Sequence, residues 1–272
     1  MPDCIGVRFD NGPKIHYMEV PAEVPALGSQ CVVSTKRGLE LAQVRTDKRD
    51  AKPNGHFVRE AYEEDLHSYY RLKRRAEELK WFLRAKAREH SIKVKVVSLE
   101  FTLDEKVLVV NYSTEETIPL RLLAKQLIEH SSARIEFNNI GPRDQARILG
   151  AIGSCGGGTC SSTWLQSFSA VSIRMARDQQ LPLNPDKISG PCGRLLCCLQ
   201  YEHAMYQELL ATMPRRGSHV CHSSGVCGRV TKLYPLKNTV EIESEQGGHE
   251  EFPADELTKL PRQSSKGGSR RR

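Results

Sequence analysis

Nine cysteines stand in this 272-residue chain, and four of them repeat one frame. The first copy reads Gly153-Ser154-Cys155-Gly156-Gly157-Gly158-Thr159-Cys160-Ser161, and the second Gly190-Pro191-Cys192-Gly193-Arg194-Leu195-Leu196-Cys197-Cys198. Thiolates bind soft or borderline metals, and a tight Cys-Gly turn lets backbone N–H groups approach the sulfurs and tune them. Structural zinc sites space paired ligands by two to four residues, most often as C-x-x-C, a motif this chain does not contain. The four-residue gap matches one segment of the plant-type iron–sulfur pattern, and two pairs supply the four thiolates a cluster needs. Metal or cluster ligation is therefore the leading chemistry for Cys155, Cys160, Cys192, Cys197 and Cys198.

Other chemistries compete. Buried cysteine often serves as a small apolar side chain, which suits Cys198 beside Leu199. Arg194 would lower the pKa of a nearby thiol and make it a nucleophile or redox sensor. A cysteine hydrolase needs a His base, and spacing nominates none among His203, His219 and His222. Gly156-Gly157-Gly158-Thr159 lacks the Lys of a phosphate loop. No paired-carboxylate or Ser-His-Asp signature stands out, so the chain is expected not to be an enzyme. Cys221, Cys227, Cys4 and Cys31 read as structural.

Apolar content of 39% with 27% charged residues is ordinary for globular protein. The start MPDCIGVRFD lacks a basic end and apolar run, and no stretch approaches the ~20 apolar residues of a membrane span. The expectation is a cytoplasmic protein with no membrane insertion, whose thiols are kept reduced rather than held in a disulfide frame. Net charge is +7, but Lys266, Arg270, Arg271 and Arg272 fall in the last eight residues, and without them +3 remains. The folded body is only mildly basic. The tail reads as disordered, a solvated end in preference to an RNA-binding arm.

The expected fold class is α+β. Residues 1–60 read as a β-rich N-terminal domain, a small barrel or sheet, with strands at Val7–Phe9, Ile15–Glu19, Gln30–Ser34 and Leu39–Arg45. Residues 61–150 open with a long helix over 63–90, where Tyr69, Leu72, Ala76, Leu79 and Leu83 recur at three-four spacing behind Glu63, Glu64 and Asp65. Its other face carries Arg71, Arg74 and Arg75, a phosphate- or partner-binding candidate against the reading of a solvated surface. Strands at Lys93–Phe101 and Lys106–Tyr112, a helix from Pro119 to Glu129, a strand at Arg134–Phe137 and a short helix opened by Pro142 give a β-β-α-β-α sandwich. Residues 151–212 form the Cys-rich segment. Residues 213–262 read as an SH3-like barrel with strands at His219–Cys221, Gly228–Tyr234, Thr239–Ser244 and His249–Phe252, and 263–272 are the basic tail.

Two stretches add a resemblance. Arg143-Asp144-Gln145-Ala146 with Leu149-Gly150, and Ser172-Ile173-Arg174-Met175-Ala176-Arg177-Asp178-Gln179 running through Asn184-Pro185 and Lys187-Ile188-Ser189-Gly190 to Cys192-Gly193-Arg194-Leu195-Leu196-Cys197-Cys198, closely resemble the bacterial RicT (YaaT) family. Val7-Arg8-Phe9 and Thr35-Lys36-Arg37-Gly38-Leu39-Glu40 look like the same family. The resemblance implies the polymerase-suppressor C-terminal domain and a cytoplasmic subunit joining small helical partners, RicA (YmcA) and RicF (YlbF), in a complex carrying 4Fe–4S clusters. It implies assistance to RNase Y in messenger-RNA processing and, through it, developmental regulation such as sporulation. Cys192, Cys197 and Cys198 match the family's second motif. Cys155 and Cys160 match the first in part, because Gly157 stands in place of Arg and Ser161 in place of the last Cys. The expectation is a non-catalytic adaptor holding an iron–sulfur cluster shared with partner subunits. Its rival is a zinc- or thiol-stabilised structural protein that binds RNA directly through Arg71, Arg74, Arg75, Arg194, Arg270, Arg271 and Arg272.

Overall fold

A computed structural model describes residues 3–10, 12–20, 24–244 and 247–259, so the tail arginines Arg270, Arg271 and Arg272 lie outside the described residues. By compactness the chain divides into two units. One unit spans Met1–Phe168 and Gly190–Arg194; the other combines Ser169–Ser189 with the described residues from Leu195 onward.

In the first unit, β1 (Asp3–Arg8), β2 (Ile15–Glu19), β3 (Gln30–Ser34), β4 (Leu39–Asp50) and β5 (Gly55–Glu60) close a barrel in the order β1-β2-β5-β3-β4. Closure removes the exposed edges that short strands would otherwise offer. Alternating residues fill the interior, among them Ile5, Val7, Met18, Val33, Ala42 and Val44. Gly6 is required at the β1–β4 irregularity: its N–H donates to Thr46 Oγ1 at 2.8 Å, and a Cβ there would meet that oxygen at 2.5 Å. Cys4 and Cys31 are fully buried in the barrel, and burial pushes the Cys31 thiol up to about 12.

The long helix α1 (Glu63–Glu89) begins where expected. The Tyr62 N–H donates to Asp65 Oδ2 at 2.8 Å, and Arg59 grips the same carboxylate with two hydrogen bonds. Leu72, Ala76, Leu79, Leu83 and Ala87 form its buried stripe. This stripe packs against β6 (Lys95–Phe101) and β7 (Val107–Ser113), an antiparallel pair extended by β8 (Arg134–Asn139) parallel to β7. Helix α2 (Leu120–Ile128) connects β7 to β8 and adds Leu123 and Leu127 to the core. Helix α3 (Pro142–Leu149), with Pro142 in its first turn, completes the β-β-α-β-α order, and the four-residue α4 (Cys160–Thr163) follows.

The second unit contains α5 (Ile173–Asp178), α6 (Pro185–Ile188) and α7 (Cys197–Thr212). Ala176, Ile188 and Leu199 form their core, and the buried Gln179 side chain donates to the Leu199 carbonyl at 2.6 Å. Beyond α7 lie β9 (His219–His222), β10 (Cys227–Tyr234), β11 (Thr239–Ser244), β12 (His249–Pro253) and β13 (Leu257–Lys259). They form an antiparallel five-stranded sheet in the order β12-β11-β10-β9-β13 over Met213, Val220, Val230, Val240 and Ile242. One expectation is corrected here: Cys221 and Cys227 are joined as a disulfide. The β9–β10 register sets them directly opposite each other, with Cα atoms 4.1 Å apart, so hairpin pairing alone brings the thiols into bonding reach.

Candidate metal-binding frames

The two cysteine frames fold into the same loop. In the first, the Gly153 N–H donates to the Gly157 carbonyl at 2.8 Å and the Gly156 N–H to the Gly153 carbonyl at 3.0 Å. In the second, Gly190 donates to Arg194 at 2.8 Å and Gly193 to Gly190 at 2.9 Å. An antiparallel bridge closes each loop, Ile152 with Gly158 and Ser189 with Leu195. The residue after the first cysteine is a glycine of positive φ in both, Gly156 at 84° and Gly193 at 73°, and the left-handed region favours glycine. The second cysteine is the first residue of a helix in both, Cys160 in α4 and Cys197 in α7.

Each loop therefore presents one thiol on its turn and another at a helix start. Cys155 is exposed, and Cys160, Cys192, Cys197 and Cys198 are half-buried. The copies diverge one residue later. Where the second frame has Cys198, the first has Ser161, which is buried and donates to Thr159 Oγ1. Thr159 also shares a 2.8 Å hydrogen bond with the Ser162 hydroxyl. A hydroxyl network thus occupies the place of the missing thiol. Gly157 replaces Arg194, whose guanidinium reaches the start of α3: a Cβ built on Gly141 would lie 3.9 Å from its Nη2.

The unit boundary runs through the second frame. Cys155, Cys160 and Cys192 belong to the first unit, Cys197 and Cys198 to the second. Among the described residues, no three Cys, His, Asp or Glu side chains are gathered as a metal site.

The arginines named for RNA or partner binding on α1 divide. Arg71 and Arg75 both bond Glu105, at 2.9 and 3.0 Å, and Arg75 also lies over the Phe101 ring. Arg74 is exposed. The same helix exposes Tyr70 and Trp81, the latter beneath the Arg84 guanidinium; sequence reading passed over both because attention to charge hid the aromatic spacing.

The motif that carried the resemblance builds structure around the second frame. Ile173–Asp178 is α5, Asn184 caps α6 through a 3.0 Å bond from the Asp186 N–H, and Ile188 is buried with Ala176 and Leu199. Comparison with known proteins places these features in a class. Residues 55–140 match the PSP1 C-terminal conserved region, and 170–213 match the third domain of PSP1-like proteins. The chain is also 36% identical over 249 residues, 89% of its length and 90% of the relative's, to the stage 0 sporulation protein YaaT of Bacillus subtilis (strain 168). It belongs to the YaaT (RicT) family of PSP1 proteins. No solved structure is a significant match. No helix among the described residues is long and apolar enough to cross a membrane.

Proposed function

We propose that the chain is a non-catalytic, cytoplasmic adaptor whose two loops present thiolates to an iron–sulfur cluster, with partner subunits resembling RicA and RicF completing the ligand set. In this reading the complex modulates RNase Y-dependent messenger-RNA processing and, through it, developmental regulation. The observation that supports it is the repeated loop: two separate stretches spend positive-φ glycines, a bridge and a helix start on placing cysteines identically. Cys155 stands exposed on its turn, where a second protein could reach it. The relative's name, a stage 0 sporulation protein, accords with a developmental role.

Anaerobic co-purification with the two partner subunits tests this. A brown complex with sulfur-to-iron absorption, bleached in a Cys192→Ser/Cys197→Ser variant, is expected; a colourless complex with stoichiometric zinc sinks the cluster. Direct RNA binding through α1 is the weaker reading, since Arg71 and Arg75 are both engaged by Glu105.

A further inference from the structure

The Cys221–Cys227 bond lies on the outer face of the sheet β12-β11-β10-β9-β13. Val220 is fully buried, so alternation along β9 turns Cys221 away from the core, and its directly opposed partners Cys227 and Thr258 share that face. Both cysteines are half-buried and Thr258 is exposed, so a small solute can reach the bond. The two sulfurs differ in access. A thiolate approaches a disulfide sulfur from the side opposite the bond that breaks. At Cys221 that side is occupied by Thr258, its partner across β9 and β13. At Cys227 it is open among the described residues, because the pairing of β10 with β11 stops at Gly228 and Ser244.

The hairpin has supports of its own. The His222 N–H donates to the Val226 carbonyl at 2.8 Å, the Gly225 N–H donates to the His222 carbonyl at 3.0 Å, and Gly225 turns with φ 91°. The His222 ring is fixed as well. Its Nδ1 meets the Ser224 hydroxyl at 2.7 Å, its Nε2 meets Glu256 at 2.7 Å, and it stacks on Phe252. Strand β9 is paired on both sides, with β10 and with β13. The bond joins residues only six apart in sequence, and short loops gain least from a cross-link. Turn, register and core are thus each held by contacts other than the disulfide.

We propose that Cys221 and Cys227 form an exchangeable dithiol–disulfide site for low-molecular-weight thiols, attacked at Cys227. A small thiolate bonds to Cys227 Sγ as the Cys221–Cys227 bond breaks, and the electron pair leaves on Cys221 Sγ, which takes a proton from water. A second thiolate attacks the small-molecule sulfur of the mixed disulfide. It releases the small disulfide and leaves the Cys227 thiolate, which is protonated in turn. Two small thiols are oxidised to one disulfide and the protein pair is reduced; an excess of the small disulfide runs the steps backwards. The site belongs wholly to the second unit and rests on neither the cysteine frames nor a cluster.

The test uses the full chain in mixtures of reduced glutathione and glutathione disulfide. Differential alkylation with peptide mass spectrometry separates this pair from the other seven cysteines. The pair should convert between disulfide and dithiol as the ratio changes, while amide exchange across 219–230 shifts by less than about twofold. With an alkylating agent added as reduction begins, glutathione should be trapped on Cys227 and the alkyl group on Cys221, about tenfold more often than the reverse. Thr258→Ala, at an exposed position, should narrow that preference without unfolding the sheet. The proposal is overturned by a bond that survives excess reduced glutathione, or by a pair that stays reduced in excess glutathione disulfide. It is overturned too by loss of protection across 219–230 on reduction, by glutathione trapped equally on both sulfurs, or by a preference that Thr258→Ala leaves unchanged.

Discussion

The loops around Cys155 and Cys192 share every backbone hydrogen bond that shapes them, yet they are seated in different surroundings. The first is followed by a single helical turn whose hydroxyls bond one another, Thr159 with Ser161 and Ser162. The second continues into α7, sixteen residues long, whose Leu199 is buried against Ala176 and Ile188 and whose backbone is held by Gln179. Loop geometry and ligand inventory are therefore separable. The turn is set by a glycine and a bridge, whereas the thiol count depends on residues the turn does not need. A frame can lose a ligand and keep its shape.

Five experiments press on that contrast, taken from the largest effect to the smallest. Thiol labelling of the native protein at mildly alkaline pH should modify exposed Cys155 orders of magnitude faster than Cys31, whose side chain is buried and whose thiol ionises only near pH 12. The same shift has a stability consequence. The folded pKa of Cys31 lies above the ordinary ~8.5, so its contribution is fully present below pH ~8.5 and is lost as pH rises toward 12, which alkaline denaturation of a Cys31→Ala variant would show as a flattened slope. Mass spectrometry that finds Cys31 labelled as readily as Cys155 would contradict the burial.

Leu199→Ala should cost about 2–5 kcal/mol in chemical denaturation, because it empties the core shared by α5, α6 and α7. Gly156→Ala and Gly193→Ala should each cost about 1–2 kcal/mol, and by similar amounts, since both glycines have positive φ and nothing stands within 4 Å of either added Cβ. Unequal costs would break the claim that the two loops are one design. Ser161→Cys should change stability least, by about 1 kcal/mol or less, since it exchanges one weak buried hydrogen bond for a larger sulfur. Its value lies in the metal content of the partner-bound complex, which should rise if the first frame regains a ligand.

Much of this architecture was legible before any coordinates. Helix α1, strands β6 to β8 and helices α2 and α3 lie where periodicity and Pro142 put them, because long amphipathic elements advertise their buried faces. Strand β5 was missed: His56 and Arg59 break up its apolar residues, and only closure between β2 and β3 explains it. Helix α7 was also missed, because its face mixes Cys198, Glu202 and His203 with the buried Leu199 and Tyr206. The repeated cysteines were legible as a pattern, and the identity of the two loops follows from glycines that could be read. Two things were not. The Cys221–Cys227 bond depends on hairpin register, and an argument from compartment steered away from it. The division of the second frame between units depends on contacts far away in sequence.

That division has a practical corollary for anyone wishing to dissect the molecule. The polypeptide passes from one compact unit to the other at Phe168–Ser169, returns at Ser189–Gly190, and leaves again at Arg194–Leu195. No single scission of the gene yields either unit whole. A fragment ending at Phe168 lacks the five-residue piece around Cys192, and a fragment starting at Ser169 carries that piece away from the unit it belongs to. Truncation phenotypes in this family will therefore report broken units as much as missing ones, and point substitutions are the cleaner instrument.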